Sequence, residues 1–204
     1  MRVSKCIGCE TFPCADVKHE GYILPEVEID RANIRLVLIS EAAPDDPADY
    51  YYAGNKAQFE QTTIQAFHQA GVGVSSLQAL LDLGIYFTTA VKCGKTGYGI
   101  KAASVKECSR ILERELDLFP KVGAYLLMGD VAIKAVNYIA QRQGGGRAIP
   151  AGSTYKIRGG EYFFRGQRAF PSYLQVGPSF GIEKSKLRMI AEDIAAAVGL
   201  LAII

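Results

Sequence analysis

The stretch "FTTAVKCGKTGYGIKAASVKEC", residues 87–108, runs from an apolar segment through a glycine-punctuated loop into a helical pattern. Strand, loop and helix in that order are the repeating unit of an α/β fold. Two signals compete within it. Gly94-Lys95-Thr96 has the ending of a phosphate-binding loop, whereas Cys93 and Cys108 have the character of metal ligands. A phosphate loop needs a glycine five residues before its Gly-Lys-Thr, so that backbone N–H groups can wrap the phosphates. Position 89 is Thr, whose side chain obstructs that wrap. The nucleotide-binding reading is therefore rejected.

Working outward, "IRLVLISE" (34–41) and "VGAYLLMG" (122–129) join "IYFTTAV" (85–91) as aliphatic runs of strand length. Such runs fit strands covered on both faces. Phe59, Ile64, Phe67 and Ala70 recur at helical spacing, as do Val105, Cys108, Leu112 and Leu116. Asp130 is expected to cap a helix beginning "VAIKAVNYIA", and a last helix to run from about Glu183 to Leu200. "STYKIRGGEYFFRG" (153–166) predicts a hairpin turning at Gly159-Gly160, with "QRAF" as the last strand. The expected fold is a single α/β domain over 1–204, three-layer α/β/α, with right-handed crossovers and a central, mainly parallel four-stranded sheet. Sites in such sheets lie beyond the carboxyl ends of strands. Here those ends are Glu41 onward, Ala90 to Lys92, and Phe170 onward.

With 204 residues, 49% apolar, the chain can bury a full core. A formal net charge of +2 excludes little, but it averages unlike parts. Between Tyr155 and Met189 seven basic residues (Lys156, Arg158, Arg165, Arg168, Lys184, Lys186, Arg188) face only Glu161 and Glu183. That excess suits phosphates, or simply a solvated face. No secretory signal opens the chain, and no apolar run approaches the ~20 residues that span a bilayer. We expect an intracellular, cytoplasmic protein that meets no membrane.

Five cysteines are an odd number for a disulfide framework. Cys6 and Cys9 form a CxxC, Cys93 follows a strand, and Cys108 falls on the next helix. A strand end and a facing helix can converge with the amino-terminal CxxC on one centre. Four thiolates suit either a [4Fe–4S] cluster or structural zinc. Cys14 is left over, or replaces Cys9.

Taken with these cysteines, several short motifs resemble the uracil-DNA glycosylase superfamily, most closely its iron–sulfur branch, family 4. "LVLISEAAPDD" is similar to that branch's first motif, GEAPG followed by acidic residues. "YYYAG" resembles PFVG, "FTTAVKC" resembles TNVVKC, and "YKIRGGEYFF…AFPSYLQ" resembles KLRG…HPSYLLR. The order and spacing of these segments hold from Cys6 to the last helix. The resemblance implies the fold of that superfamily, with residues 1–30 as a cluster-binding segment and Cys6, Cys9, Cys93 and Cys108 as ligands. It also implies a glycosylase that acts alone on DNA containing uracil or a related damaged base, flipping the base before cutting its bond to the sugar.

The implied roles follow residue by residue. Glu41 would orient water and offset positive charge on the sugar, with Asp45 and Asp46 in the acidic extension of the motif. Each of these could instead cap a helix or pair with Lys56. Tyr52 would stack on the flipped base, Phe170 would wall it, and backbone N–H groups near Ala42 and Ser172 would meet the departing base. Tyr173 or Leu174 would enter the helix as a wedge, with Gln175 beside them. Lys92, Lys95, Arg158 and Arg168 would track phosphates, together with Arg165, Lys184 and Lys186. Three positions depart from the family's pattern. Ser40 replaces the first-motif glycine, Thr89 the uracil-reading asparagine, and Phe170 the histidine that steadies the leaving base. A hydroxyl has one proton to offer where an asparagine amide both donates and accepts, so relaxed uracil selectivity is expected.

Overall fold

Alternation along the strands decides which core each side chain enters. Leu36 and Leu38 join one apolar core with Leu126, while Val37 and Ile39 join the opposite one with Tyr125 and Leu127. Successive strand residues point to opposite faces, so one aliphatic run feeds both. The chain is seen in a computed structural model that describes residues 1–54, 57–97, 99–177 and 180–201.

The strands are β1 (Val17–Lys18), β2 (Leu36–Ala43), β3 (Ile85–Lys95), β4 (Ala124–Met128), β5 (Tyr162–Phe164) and β6 (Gln167–Ser172). The helices are α1 (Gln58–Gln69), α2 (Leu77–Asp82), α3 (Ala102–Leu116), α4 (Asp130–Arg142), α5 (Thr154–Ile157) and α6 (Lys184–Leu201). Helices α3 and α4 cover one face through Val105, Leu112, Val136 and Ile139. Helices α1 and α6 cover the other through Phe59, Phe67, Ile190 and Ile194.

The expected four-stranded sheet is corrected to a mixed six-stranded one, ordered β1-β3-β2-β4-β6-β5. β3, β2, β4 and β6 run parallel, and antiparallel β1 and β5 close the two edges. β1 is only two residues long, too short for a periodicity to register. The hairpin turns at Arg165 and Gly166, both with positive φ (53° and 74°), because residues 154–157 coil into α5. Two positive-φ residues between paired strands make the turn whose twist matches theirs. Asp130 does not cap α4 with its side chain; Gly129 occupies that position. No helix among the described residues is long and apolar enough to cross a membrane.

Where β2 advances from Ala42 to Ala43, β3 advances from Val91 to Gly94. Lys92 and Cys93 are the residues thrown out of register by this bulge. Lys92 is fully buried and folds back on its own strand. Its ammonium donates to Thr88 Oγ1 (2.7 Å), to the Thr89 carbonyl (2.6 Å) and to Glu115 Oε2. Glu115, also fully buried on α3, accepts from the Tyr86 and Thr88 hydroxyls at 2.6 and 2.9 Å through Oε1. All three ammonium protons and both carboxylate oxygens are thus occupied, which is the condition for two charges to survive burial.

Removing one partner leaves the other charge uncompensated. Lys92→Met or Glu115→Gln is expected to cost ~3–5 kcal/mol in denaturant unfolding. The double variant should lose less than the sum of the two.

Candidate functional site

A cavity of about 410 Å³ lies at the carboxyl ends of the parallel strands, lined by Glu41, Lys95, Gly129, Asp130, Tyr173 and Leu174 among others. Glu41 continues β2, and only 16% of its side chain is exposed. Its Oε1 accepts the Val131 N–H of the first turn of α4 at 3.4 Å, so the positive end of that helix faces the carboxylate. Lys95 Nζ lies 3.7 Å from Oε2. Gly129 has φ 99°, and a Cβ there would come within 2.7 Å of the Glu41 side chain. Only glycine admits the carboxylate at this distance.

Tyr173 and Leu174 sit on a loop pinned at both ends. Ser172 Oγ donates to Asp193 Oδ2 on α6 at 2.6 Å. Gln175, fully buried, donates from Nε2 to the Tyr51 hydroxyl (2.9 Å) and to Ser40 Oγ (3.3 Å), and those two hydroxyls bond each other. The two residues between the pins are the ones that reach the cleft. Lys186 Nζ lies 5.6 Å from the Tyr173 ring centre and pairs with Glu183 at 2.6 Å. Burial raises the Asp193 carboxyl above its ordinary range, opposed by hydrogen bonds from Arg158 and Ser172.

The structure brings Glu41, Lys95, Tyr173 and Leu174 together and separates the other expected site residues from them. Lys92 cannot meet phosphate, being buried against Glu115. Arg158 is committed to Asp193, Glu192 and the Met189 carbonyl at 2.8–2.9 Å. Arg168 donates to the Tyr162 carbonyl (3.3 Å) and lies 4.8 Å from the Phe170 ring centre. Gln175 serves the loop's interior rather than DNA. Tyr52, Thr89, Phe170, Ser172 and Ala42 do not line the cleft. The Tyr52 hydroxyl is instead held by the N–H and carbonyl of Phe87, at 3.0 and 3.1 Å. Thr89 is fully buried, its hydroxyl without a partner among the described residues. Asp45 pairs with Lys18 at 2.7 Å, and Asp46 caps the turn at Ala48 N–H (2.9 Å). Lys56 lies outside the described residues.

A second cavity, of about 570 Å³, is lined by Cys9, Cys14, Cys93 and Cys108. Cys6, expected beside Cys9, is not among its walls. It ends a 3-10 turn, exposed, with its thiol directed at the Arg2 carbonyl (3.5 Å). Cys14 does line the cavity, and its carbonyl is 2.6 Å from His19 Nε2. The Tyr22 hydroxyl receives the Cys9 N–H at 3.0 Å. Cys108 Sγ accepts the Lys92 N–H at 3.2 Å. Burial, then the charge of neighbouring thiols, pushes Cys93 up to about 12. Burial pushes Cys108 up to about 11, against the lowering effect of Lys92. Such thiols ionise only beside a compensating cation. Among the described residues no three His, Cys, Asp or Glu side chains form a group that could hold a metal ion. The four thiols share the lining of this one cavity.

Sequence reasoning missed the clamp that holds Cys14 in place. Asp16 accepts the Lys101 N–H at 2.6 Å and the Ser104 hydroxyl, capping α3 from a distant segment. An aspartate 85 residues from the helix it caps leaves no local signal. Compared with protein-family models and with curated proteins, the chain matches none.

Burial raises the Asp16 carboxyl, but the bonds from Ser104 and Lys101 outweigh it and hold the group below the ordinary aspartate range. A depressed folded-state value means the clamp is intact at neutral pH and weakens as acid protonates it. The Lys101 amide resonance is expected to titrate below the usual aspartate midpoint, and to lose that transition in Asp16→Asn.

Proposed function

We propose that this chain is a DNA N-glycosylase, hydrolysing the bond between deoxyribose and uracil or a related damaged base. The observation that carries this reading is Glu41. Its carboxylate is held against the amino end of α4, inside a cleft that also contains the loop residues Tyr173 and Leu174. Breaking an N-glycosidic bond builds positive charge at C1′. A preorganised carboxylate offsets that charge and orients the attacking water. Tyr173 and Leu174, on a loop fixed at Ser172 and Gln175, are placed to enter the gap that a flipped base leaves. On the leaving side Phe170 offers no proton, and the cationic donors in the cleft are Lys95 and Lys186.

In the same proposal Cys9, Cys14, Cys93 and Cys108 hold a [4Fe–4S] cluster. Bound there, it would staple the amino-terminal segment to β3 and α3. Lys92 N–H would donate to one ligand sulfur, and Tyr22 would hold the Cys9 backbone.

A second reading is a nucleic-acid-binding protein without base excision. The burial of Thr89 and the engagement of Tyr52 by the Phe87 backbone favour it, since neither side chain opens toward the cleft.

Incubation with oligonucleotides carrying single damaged bases separates the two. Base release is expected, and Glu41→Gln should slow it ~10²–10⁴-fold. Binding without release by the wild type would leave the second reading. For the cluster, anaerobically purified Cys14→Ser is expected to lose brown colour and iron, whereas Cys6→Ser keeps both. The reverse pattern would restore Cys6 as a ligand.

A further inference from the structure

On the reading that this cleft receives DNA, we propose that Lys95 is a nucleophile toward abasic sites and that Glu41 handles the protons, giving the chain a strand-cleaving lyase activity.

The geometry around Lys95 is that of a presented amine. Its backbone closes β3 and is held from two sides, by Val17 on β1 and, one residue earlier, by Ala43 pairing with Gly94 on β2. Gly94 is tightly enclosed, since a Cβ there would lie 3.1 Å from the Pro44 carbonyl and 3.3 Å from Lys18 Cβ. The base of the side chain is therefore rigid while its tip lies in the cleft beside Glu41. At 3.7 Å from Glu41 the ammonium lies beyond a full hydrogen bond, yet within reach of proton exchange. The other lysines nearby are less suited. Lys92 is fully buried with every proton engaged, and Lys186 is tied to Glu183. The cleft also lacks Tyr52, Thr89 and Phe170, the residues expected to face a base. It offers groups for the sugar and a wedge for the gap, which suits a nucleotide whose base has already gone.

The chemistry balances as follows. Glu41 takes a proton from the Lys95 ammonium, and the freed amine adds to the C1′ aldehyde of the ring-opened deoxyribose. The carbinolamine accepts that proton back from Glu41 and loses water, leaving an iminium between Nζ and C1′. The regenerated carboxylate removes a C2′ proton. The C2′–H electron pair forms the new double bond as the 3′-phosphate departs from C3′ with the C–O electrons. Water then hydrolyses the unsaturated iminium, releasing the sugar aldehyde and Lys95 as its ammonium, and Glu41 passes the C2′ proton to solvent, which restores both groups. The lysine–carboxylate pair thus acts as nucleophile and base.

The test uses duplex DNA carrying a preformed abasic site, so it does not depend on base excision, with sodium borohydride to reduce the iminium to a stable amine. A covalent protein–DNA adduct mapping to the peptide that contains Lys95 is expected. Lys95→Ala and Lys95→Arg should abolish it, Arg keeping the charge but not the nucleophile. Glu41→Gln should slow trapping ~10²-fold or more. Lys121→Ala, at the amino end of β4, should trap as the wild type does, and thermal melts of all variants establish that they are folded. Anisotropy with the same duplex is measured in parallel. Binding without an adduct, or an adduct on Lys186 or the amino terminus, overturns the proposal and leaves the DNA-binding reading standing. No binding to any DNA overturns both.

Discussion

Two charges buried in an apolar core organise this molecule more than any single apolar contact does. Lys92 and Glu115 tolerate complete burial because Tyr86, Thr88 and the Thr89 carbonyl satisfy what the pair leaves open. That demand for partners fixes geometry. Tyr86 and Thr88 must face α3, so the register of β3 against that helix admits no one-residue slip without exposing a charge. The same backbone that carries the Lys92 ammonium inward sends its N–H to Cys108. The buried pair and the thiol cavity are therefore two sides of one construction.

The bulge in β3 explains how a single strand end supplies two sites. Residues two apart on a regular strand share a face, so Cys93 and Lys95 would point the same way. Instead Cys93 lines the thiol cavity and Lys95 the Glu41 cleft. The advance from Val91 to Gly94 against one step of β2 breaks the alternation between them. A Cβ at position 94 would press on the Pro44 carbonyl and on Lys18 Cβ, at 3.1 and 3.3 Å. A rearrangement at this bulge would be felt at both cavities.

The aliphatic strands, the long helices and the carboxyl-end location of the cleft were legible in the sequence, because period and apolar content report burial directly. Glu41 reads as the first acidic residue past an apolar run. What escaped were features made by distant pairings. The two-residue β1 has no period, and α5 displaced a hairpin turn that its glycines seemed to mark at 159–160. Lys92 reads as a surface cation because a lone lysine beside a strand end usually is one. Its buried partner lies 23 residues on, in a helix whose two other acids, Glu107 and Glu113, both reach solvent. Cys6 and Cys9 read as a pair from their spacing; Cys6 stands exposed after the 3-10 turn at Val3–Lys5, while the Cys14 thiol meets the carbonyl of Ser104, the residue whose hydroxyl Asp16 binds.

The three departures from the resembled family's motifs belong together physically. A glycine at position 40 would give Gln175 and Tyr51 no hydroxyl to meet, and two polar groups would sit buried with one partner fewer. Ser40 completes that triad, and the triad in turn occupies the space between β2 and the loop after β6. Thr89 stands beside Ser40 in register across β2 and β3, fully buried, its hydroxyl without a partner among the described residues. An asparagine there would bury two donors and an acceptor that nothing answers, so a small residue is the less costly choice. Phe170 is buried in the apolar core and packs under the Arg168 guanidinium. The cleft itself holds the Glu41–Lys95 pair and the pinned Tyr173–Leu174 loop, apart from all three of these positions.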